Sequence, residues 1–221
     1  MNILDILGPV MIGPSSSHTA GAVRLGLLAR HILGAPVIKA DIILHGSFAE
    51  TYKGHGTDVA LLAGLMSWQP DDGRIPEAKR YAERQGLEYH FSKENLGTAV
   101  HPNTVMFSLH ARDGRYAEIE GSSIGGGQVV ITCIDGMEVE YTGRMPALII
   151  NNMDEPGVLN HVTELLAAGD INIATMKLFR DEKGGIASVL IECDQILPEE
   201  IAADIRCLRG IISVRLLPKI V

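Results

Sequence analysis

Apolar residues first recur at helical spacing along Gly21, Leu25, Leu28 and Ile32. That pattern predicts a helix from Ala20 to about Leu33, stopped by Gly34 and Pro36. The unbroken apolar run Ile38 to Leu44 predicts a buried strand ending at His45-Gly46. Ser47 and Glu50 have the S-x-x-E spacing of a capping box, which predicts a short helix over Phe48 to Tyr52, broken at Gly54-His55-Gly56. Thr57 and Asp58 are placed to cap a third helix, Val59 to about Trp68. Pro76 and Gly86 bracket a charged helix, Glu77 to Gln85. The period then shortens to two. Thr104 to Ala111 and Tyr116 to Gly121 read as strands joined at Arg112-Asp113-Gly114, and Val129 to Ile134 and Met137 to Tyr141 as strands joined by Asp135-Gly136, a strong hairpin signal. Gly121-Ser122-Ser123-Ile124-Gly125-Gly126-Gly127 lies between the two pairs.

Past Gly143-Arg144-Met145-Pro146 the pattern becomes compact: strand Ala147 to Asn152, helix Gly157 to Ala168, strand Ile171 to Arg180, strand Ile186 to Cys193, helix Glu199 to Leu208, strand Ile211 to Leu217. This is a ferredoxin-like βαββαβ unit. The fold class is therefore α+β, with a mixed helix and sheet domain over 1–142, a linker over 143–146 and the ferredoxin-like domain over 147–221.

Composition narrows what such a chain does. Its 221 residues exceed what one domain commonly holds, and 46% apolar content suffices for ordinary cores. No run reaches the ~18 apolar residues of a membrane span, and Met1-Asn2-Ile3-Leu4-Asp5 lacks the basic start of a signal peptide. A net charge of −8 with scattered basic residues argues against a nucleic-acid partner. A cytoplasmic protein is expected. Cys133, Cys193 and Cys207 each sit in an apolar pattern without a C-x-x-C pair, so they read as core thiols and not as the ligands of a zinc or an iron–sulfur cluster.

Candidate chemistry concentrates in Gly13-Pro14-Ser15-Ser16-Ser17-His18-Thr19-Ala20-Gly21. A hydroxyl-rich loop feeding a helix start presents side-chain donors, free backbone N–H groups and the positive end of the helix dipole, a nest suited to a carboxylate or phosphate. His55, between two glycines, can approach a ligand closely, and imidazole titrates near neutrality as a general base should. Asn103 offers both a donor and an acceptor. His31, His90, His110 and His161 fall on helix or strand patterns and read as surface or packing residues, while His45 at a strand end stays open.

Several motifs also carry a resemblance. Asp154-Glu155-Pro156-Gly157-Val158-Leu159 with Ile171-Asn172-Ile173 is similar to the first loop and second strand of an ACT domain, an amino-acid-sensing module. The whole chain resembles the beta subunits of two-chain, iron–sulfur-dependent L-serine dehydratases, through the Gly13–Gly21 run, Gly54-His55-Gly56-Thr57-Asp58, His101-Pro102-Asn103 and Ser123-Ile124-Gly125-Gly126-Gly127. The first domain also resembles the allosteric substrate-binding domain of some D-3-phosphoglycerate dehydrogenases. The resemblance implies that L-serine loses water, and that the aminoacrylate formed gives pyruvate and ammonia. It implies a 4Fe–4S cluster acting as Lewis acid, held by cysteines of a partner alpha subunit and not by this chain. It implies His55 as base, with Ser15, Ser16, Ser17 and Thr19 holding the substrate carboxylate and His18, His101 and Asn103 orienting the substrate. For the ACT domain it implies effector contacts at Asn152, Asp154 and Asn172, beside a purely dimerising role. Edge strands of a ferredoxin-like sheet need cover, so a homodimer is expected.

Two other readings use the same residues. In one, both domains bind small anions or amino acids without chemistry. In the other, the chain is a self-sufficient Ser/His hydrolase, a reading weakened by the lack of a G-x-S-x-G elbow.

Overall fold

The computed structural model describes residues 10–180 and 182–220. The N-terminal stretch Met1 to Asp5 and residue Asp181, just past the expected strand ending at Arg180, lie outside the described residues. The chain forms two compact units that part between Gly136 and Met137.

The first unit opens with a π-helical turn, Ser16–Gly21, that runs straight into α1, Ala22–Leu33. Gly34, left-handed at φ 73°, ends α1 as the sequence predicts. Next come β1, Val37–Leu44; α2, Gly46–His55; and α3, Thr57–Leu65. A short 3₁₀ turn containing Pro76 leads into α4, Ala78–Gln85. The sheet adds β2, Glu88–Lys93; β3, Thr104–Ala111; β4, Tyr116–Gly125; and β5, Gln128–Ile134. Within this unit the strands lie in the order β2-β1-β3-β4-β5. All pairs are antiparallel except β1 with β2.

Five local expectations change. The S-x-x-E box does not form, because His45 is the N-cap of α2 and Ser47 lies inside the helix. The helix does not break at Gly54 but continues through His55, and Gly56 alone ends it at φ 71°. Thr57 and Asp58 are the first residues of α3 and not its caps, and α3 ends at Leu65, ahead of Ser67 at φ 65°. Strand β4 runs on to Gly125 through two irregular steps, so Ser122 and Ser123 belong to the sheet. Strand β2 follows a half-exposed alternation between charged and aromatic positions that the apolar pattern missed.

Helix α1 packs across β3, β4 and β5 and against α3. Leu25, Leu28, Phe107, Leu109 and Ile131, all at most 1% exposed, form the seam. Burying a leucine or phenylalanine of this kind stabilises by about 1.5–3 kcal/mol. That packing fixes the helix that follows the π turn.

The second unit opens with β6, Met137–Tyr141, and continues through β7, Ala147–Met153; α5, Val158–Ala168; β8, Ile173–Arg180; β9, Ile186–Cys193; α6, Glu199–Arg206; and β10, Ile211–Leu217. After β6 the order is βαββαβ, with an antiparallel sheet β10-β7-β9-β8. Leu148, Ile150, Val162, Leu166, Val189 and Ile191 fill its core. Strand β6 packs on β8 and β9, where Glu140 accepts an ion pair from Lys177. Among the described residues no helix is long and apolar enough to cross a membrane.

Candidate active site

The loop before α1 is built by its own hydroxyls. Ser15 is the extended N-cap, and its Oγ accepts the His18 N–H at 3.3 Å, while its carbonyl accepts the Thr19 N–H at 2.8 Å. A π turn follows where a regular helix start was expected, and such turns are frequent at functional sites. Ser16 and Ser17 are half-buried within it, and Thr19 is buried.

His18 is the centre of this turn. Its Nδ1 lies 3.4 Å from Ser15 Oγ and its Nε2 lies 3.2 Å from Ser47 Oγ on α2. Phe48 meets the ring edge-on at 5.2 Å between centroids, and His55, from the end of the same helix, does so at 4.9 Å. The spacing of Ser47 and His55, two turns of α2 apart, lets one helix face supply both contacts. Burial and the neighbouring His55 charge hold the His18 imidazole below its ordinary value, with Ser47 opposing them. His18 is thus seated on both nitrogens. His55 is exposed, and its ring makes no hydrogen bond within the described residues.

The segment His101-Pro102-Asn103 reaches the same helix start. The Phe48 N–H donates to the Pro102 carbonyl at 3.3 Å, and Gly46 lies so close that a Cβ there would stand 2.7 Å from Pro102 backbone atoms. His101 Nδ1 accepts the Asn103 N–H at 3.1 Å, which orders the turn without burying the ring. Asn103 Nδ2 donates to the Ser123 carbonyl at 3.4 Å. Ser123 comes from β4 and abuts the π turn: a Cβ on Gly21 would stand 2.1 Å from its Oγ.

Among the described residues three buried oxygens here have no partner: Thr19 Oγ1, Asn103 Oδ1 and Ser123 Oγ. An unmade bond to a buried polar atom costs about 1–3 kcal/mol, so three such atoms around one turn make it a candidate ligand site. Thr57 Oγ1 is buried and unpartnered as well. Asp58 is not free, since it accepts Lys79 Nζ at 2.5 Å and the Val59 N–H at 2.9 Å, tying α3 to α4. Sequence reasoning missed Ser47, Phe48 and Ser123 as parts of this site. Ser123 had a signal, the serine pair before the glycine run, in the stretch that the pattern places between two strand pairs but that the structure makes the end of β4. His45 proves structural: its buried Nδ1 accepts the Leu96 N–H at 3.1 Å.

In the second unit the three expected effector residues do not meet within one chain. Asn152 and Asp154 lie where β7 ends against Ala187 and Ile186, whereas Asn172 lies beside Asp194, past the far end of β9. About seven strand residues, or ~23 Å, separate the two ends. Asp154 already accepts Arg180 at 2.7 Å and the Gly184 N–H at 3.0 Å, contacts that hold its carboxyl below the usual range.

Comparison with known proteins gives the same two-part division. The family model of the serine dehydratase beta chain matches residues 2–92, and that of the AHAS small subunit-like ACT domain matches residues 148–213. The chain is 41% identical to the probable L-serine dehydratase beta chain of Bacillus subtilis (strain 168), with 96% of each covered. It is 37% identical to the L-serine dehydratase beta chain of Peptoniphilus asaccharolyticus, over 91% of this chain and 90% of that one. A D-3-phosphoglycerate dehydrogenase of Bacillus subtilis (strain 168) is 33% identical over 89% of this chain but only 37% of its own length.

Proposed function

The chain belongs to the family of L-serine dehydratase beta chains, and on that premise we propose that its first unit holds L-serine and moves its Cα proton within a two-chain enzyme. A beta chain implies an alpha partner and L-serine as substrate. The observation that carries the residue assignment is the trio of unpartnered buried oxygens around the π turn, next to two imidazoles in contact.

The chemistry of each atom suggests its task. Thr19 and Ser123 can donate O–H groups to the substrate carboxylate, assisted by the Ser16 and Ser17 hydroxyls and the N–H groups at the helix start. Asn103 Oδ1, an acceptor, suits the substrate ammonium. Ser15 and Ser47 seat His18, and His101 orders the backbone of Asn103, so these three act by positioning. His55, with no hydrogen bond on its ring, takes the Cα proton. Loss of the Cβ hydroxyl then gives 2-aminoacrylate, whose imine tautomer hydrolyses to pyruvate and ammonia.

The reaction in this family depends on an iron–sulfur cluster, and this chain's thiols do not suit one. Cys193 is buried, with its thiol pushed up to about 11 chiefly by burial, Cys207 is exposed, and no group of three or more metal-binding side chains exists among the described residues. We assign the cluster ligands to the alpha chain.

The test is the chain reconstituted with its alpha partner and assayed for pyruvate. His55→Ala is expected to lower kcat by about 10²–10⁴-fold, whereas His18→Ala is expected to raise KM more than it lowers kcat. A folded His55→Ala enzyme with near-full kcat would overturn the assignment of the base.

A further inference from the structure

A cavity opens in the first unit at the opposite end of α1 from the π turn. It has a volume of about 510 Å³, within the usual range for small-molecule sites. Its walls come from the start of β1, the end of α3 and the approach to β2, with Val37, Leu65, Met66 and Leu87 among them. Arg30 from the last turn of α1 and Arg112 from the β3–β4 turn also line it. The twelve residues of α1 set it ~18 Å from the π turn, so it shares no lining residue with the candidate active site.

The two arginines lack the partners their surroundings would normally supply. Arg30 is half-buried, and among the described residues it makes one hydrogen bond, from Nη1 to the Leu65 carbonyl at 3.4 Å. Burial pushes its guanidinium below the ordinary value, and no carboxylate offsets this. Arg112 makes no ion pair among the described residues. Asp113, the acidic residue on the cavity rim, is occupied by Arg115, which also donates to the Gly34 carbonyl. A chain of net charge −8 thus keeps two arginines without an ion pair among the described residues on one cavity with apolar walls, with Asp113 the acidic residue on its lining. The β1–β3 ladder also skips Ile38 at the cavity wall, a bulge of the kind found beside binding sites.

We propose that this cavity is a separate binding site for an organic carboxylate with an apolar body, its head on Arg30 and Arg112 and its body against Val37, Leu65, Met66 and Leu87. Arginine's planar fork matches a carboxylate, and the walls exclude water from an aliphatic tail. The site goes beyond the dehydratase reading and does not depend on it, because neither arginine belongs to the serine-binding residues.

The experiment titrates the full chain with 4-methylvalerate and follows methyl NMR resonances, with 4-methylvaleramide as the neutral control. Shifts are expected at the Val37, Leu65 and Met66 methyls for the acid, with none for the amide. Arg30→Gln is expected to weaken binding about 10- to 100-fold, the loss of one charge-assisted hydrogen bond. Arg112→Gln, on an exposed turn that tolerates the change, is expected to weaken it about 2- to 10-fold. Three results would overturn the proposal: no shifts with the acid, equal shifts with the amide, or shifts confined to the Thr19 and Ala22 methyls at the π turn.

Discussion

Gly64→Ala tests how α1 and α3 hold the first unit together. The two helices cross at Gly26 and Gly64, and a Cβ on Gly64 would lie 2.1 Å from the Val23 carbonyl oxygen and 2.7 Å from the Leu27 nitrogen. Carbon–oxygen contacts close at about 3.3 Å, so the helices must part by roughly an ångström. Both obstacles are backbone and cannot rotate away. Val23, Leu27, Leu61 and Leu65, all at most 2% exposed, would lose contact with one another, and gaps of this size forfeit a quarter to a half of the dispersion attraction across them. Overpacking of this kind costs about 1–3 kcal/mol or more. The better helix propensity of alanine returns about 0.5–1 kcal/mol. The expected net loss is up to about 2.5 kcal/mol. Gly54→Ala is the matched control, because its Cβ would meet nothing within 4 Å. That variant is expected to gain up to about 0.5 kcal/mol. Trp68, the single tryptophan, is buried in the first unit, so its fluorescence in a urea titration reports on that unit alone. A Gly64→Ala midpoint at or above that of Gly54→Ala would refute the reasoning.

Three further tests concern the site and the thiols. Ser123→Ala and Thr19→Val each remove a buried hydroxyl without a partner, so stability should hold or rise while KM for L-serine rises; lost stability at unchanged KM would exclude both hydroxyls as ligand donors. His18 and His31 are both held below the ordinary histidine value, burial being the larger cause in each. The unfolded chain then binds more protons just below pH ~6.5. Stability should be full above that pH and decline as pH falls through the lowered values, less steeply in His18→Gln; a urea midpoint flat between pH ~7 and ~5 would contradict this. Iodoacetamide should label the exposed Cys207 on the folded chain well before the buried Cys193, and equal rates by peptide mass mapping would count against the buried placement.

The second unit was legible almost residue by residue, because strands such as β7 and β9 read as short apolar runs and each helix follows a loop with its own stop signal. Strands β9 and β10 begin and end where the apolar pattern places them. The first unit was harder at its functional edge. Ser47 carried the spacing of a capping box, yet its hydroxyl serves a histidine 29 positions earlier, a long-range contact that local pattern cannot show. The reach of α2 through Gly54 shows that one glycine's propensity does not by itself end a helix. Ser123 looked like loop because glycines follow it, while its neighbour Ser122 shares a 2.6 Å bond with Thr104 across the sheet. The serine run and His18, by contrast, stood out from composition alone, since five polar residues at a helix start exceed what a cap requires.

The single residue Gly56 closes α2 and opens α3. Helix α3 is locked to α1 where Gly26 and Gly64 cross, α1 continues backward into the turn bearing His18, and His18 touches His55 beside Gly56. These parts form a closed kinematic loop, like the bars of a braced frame. The distance between the two imidazoles, 4.9 Å between centroids, closes this loop, and a distortion introduced at the helix crossing is expected to change it.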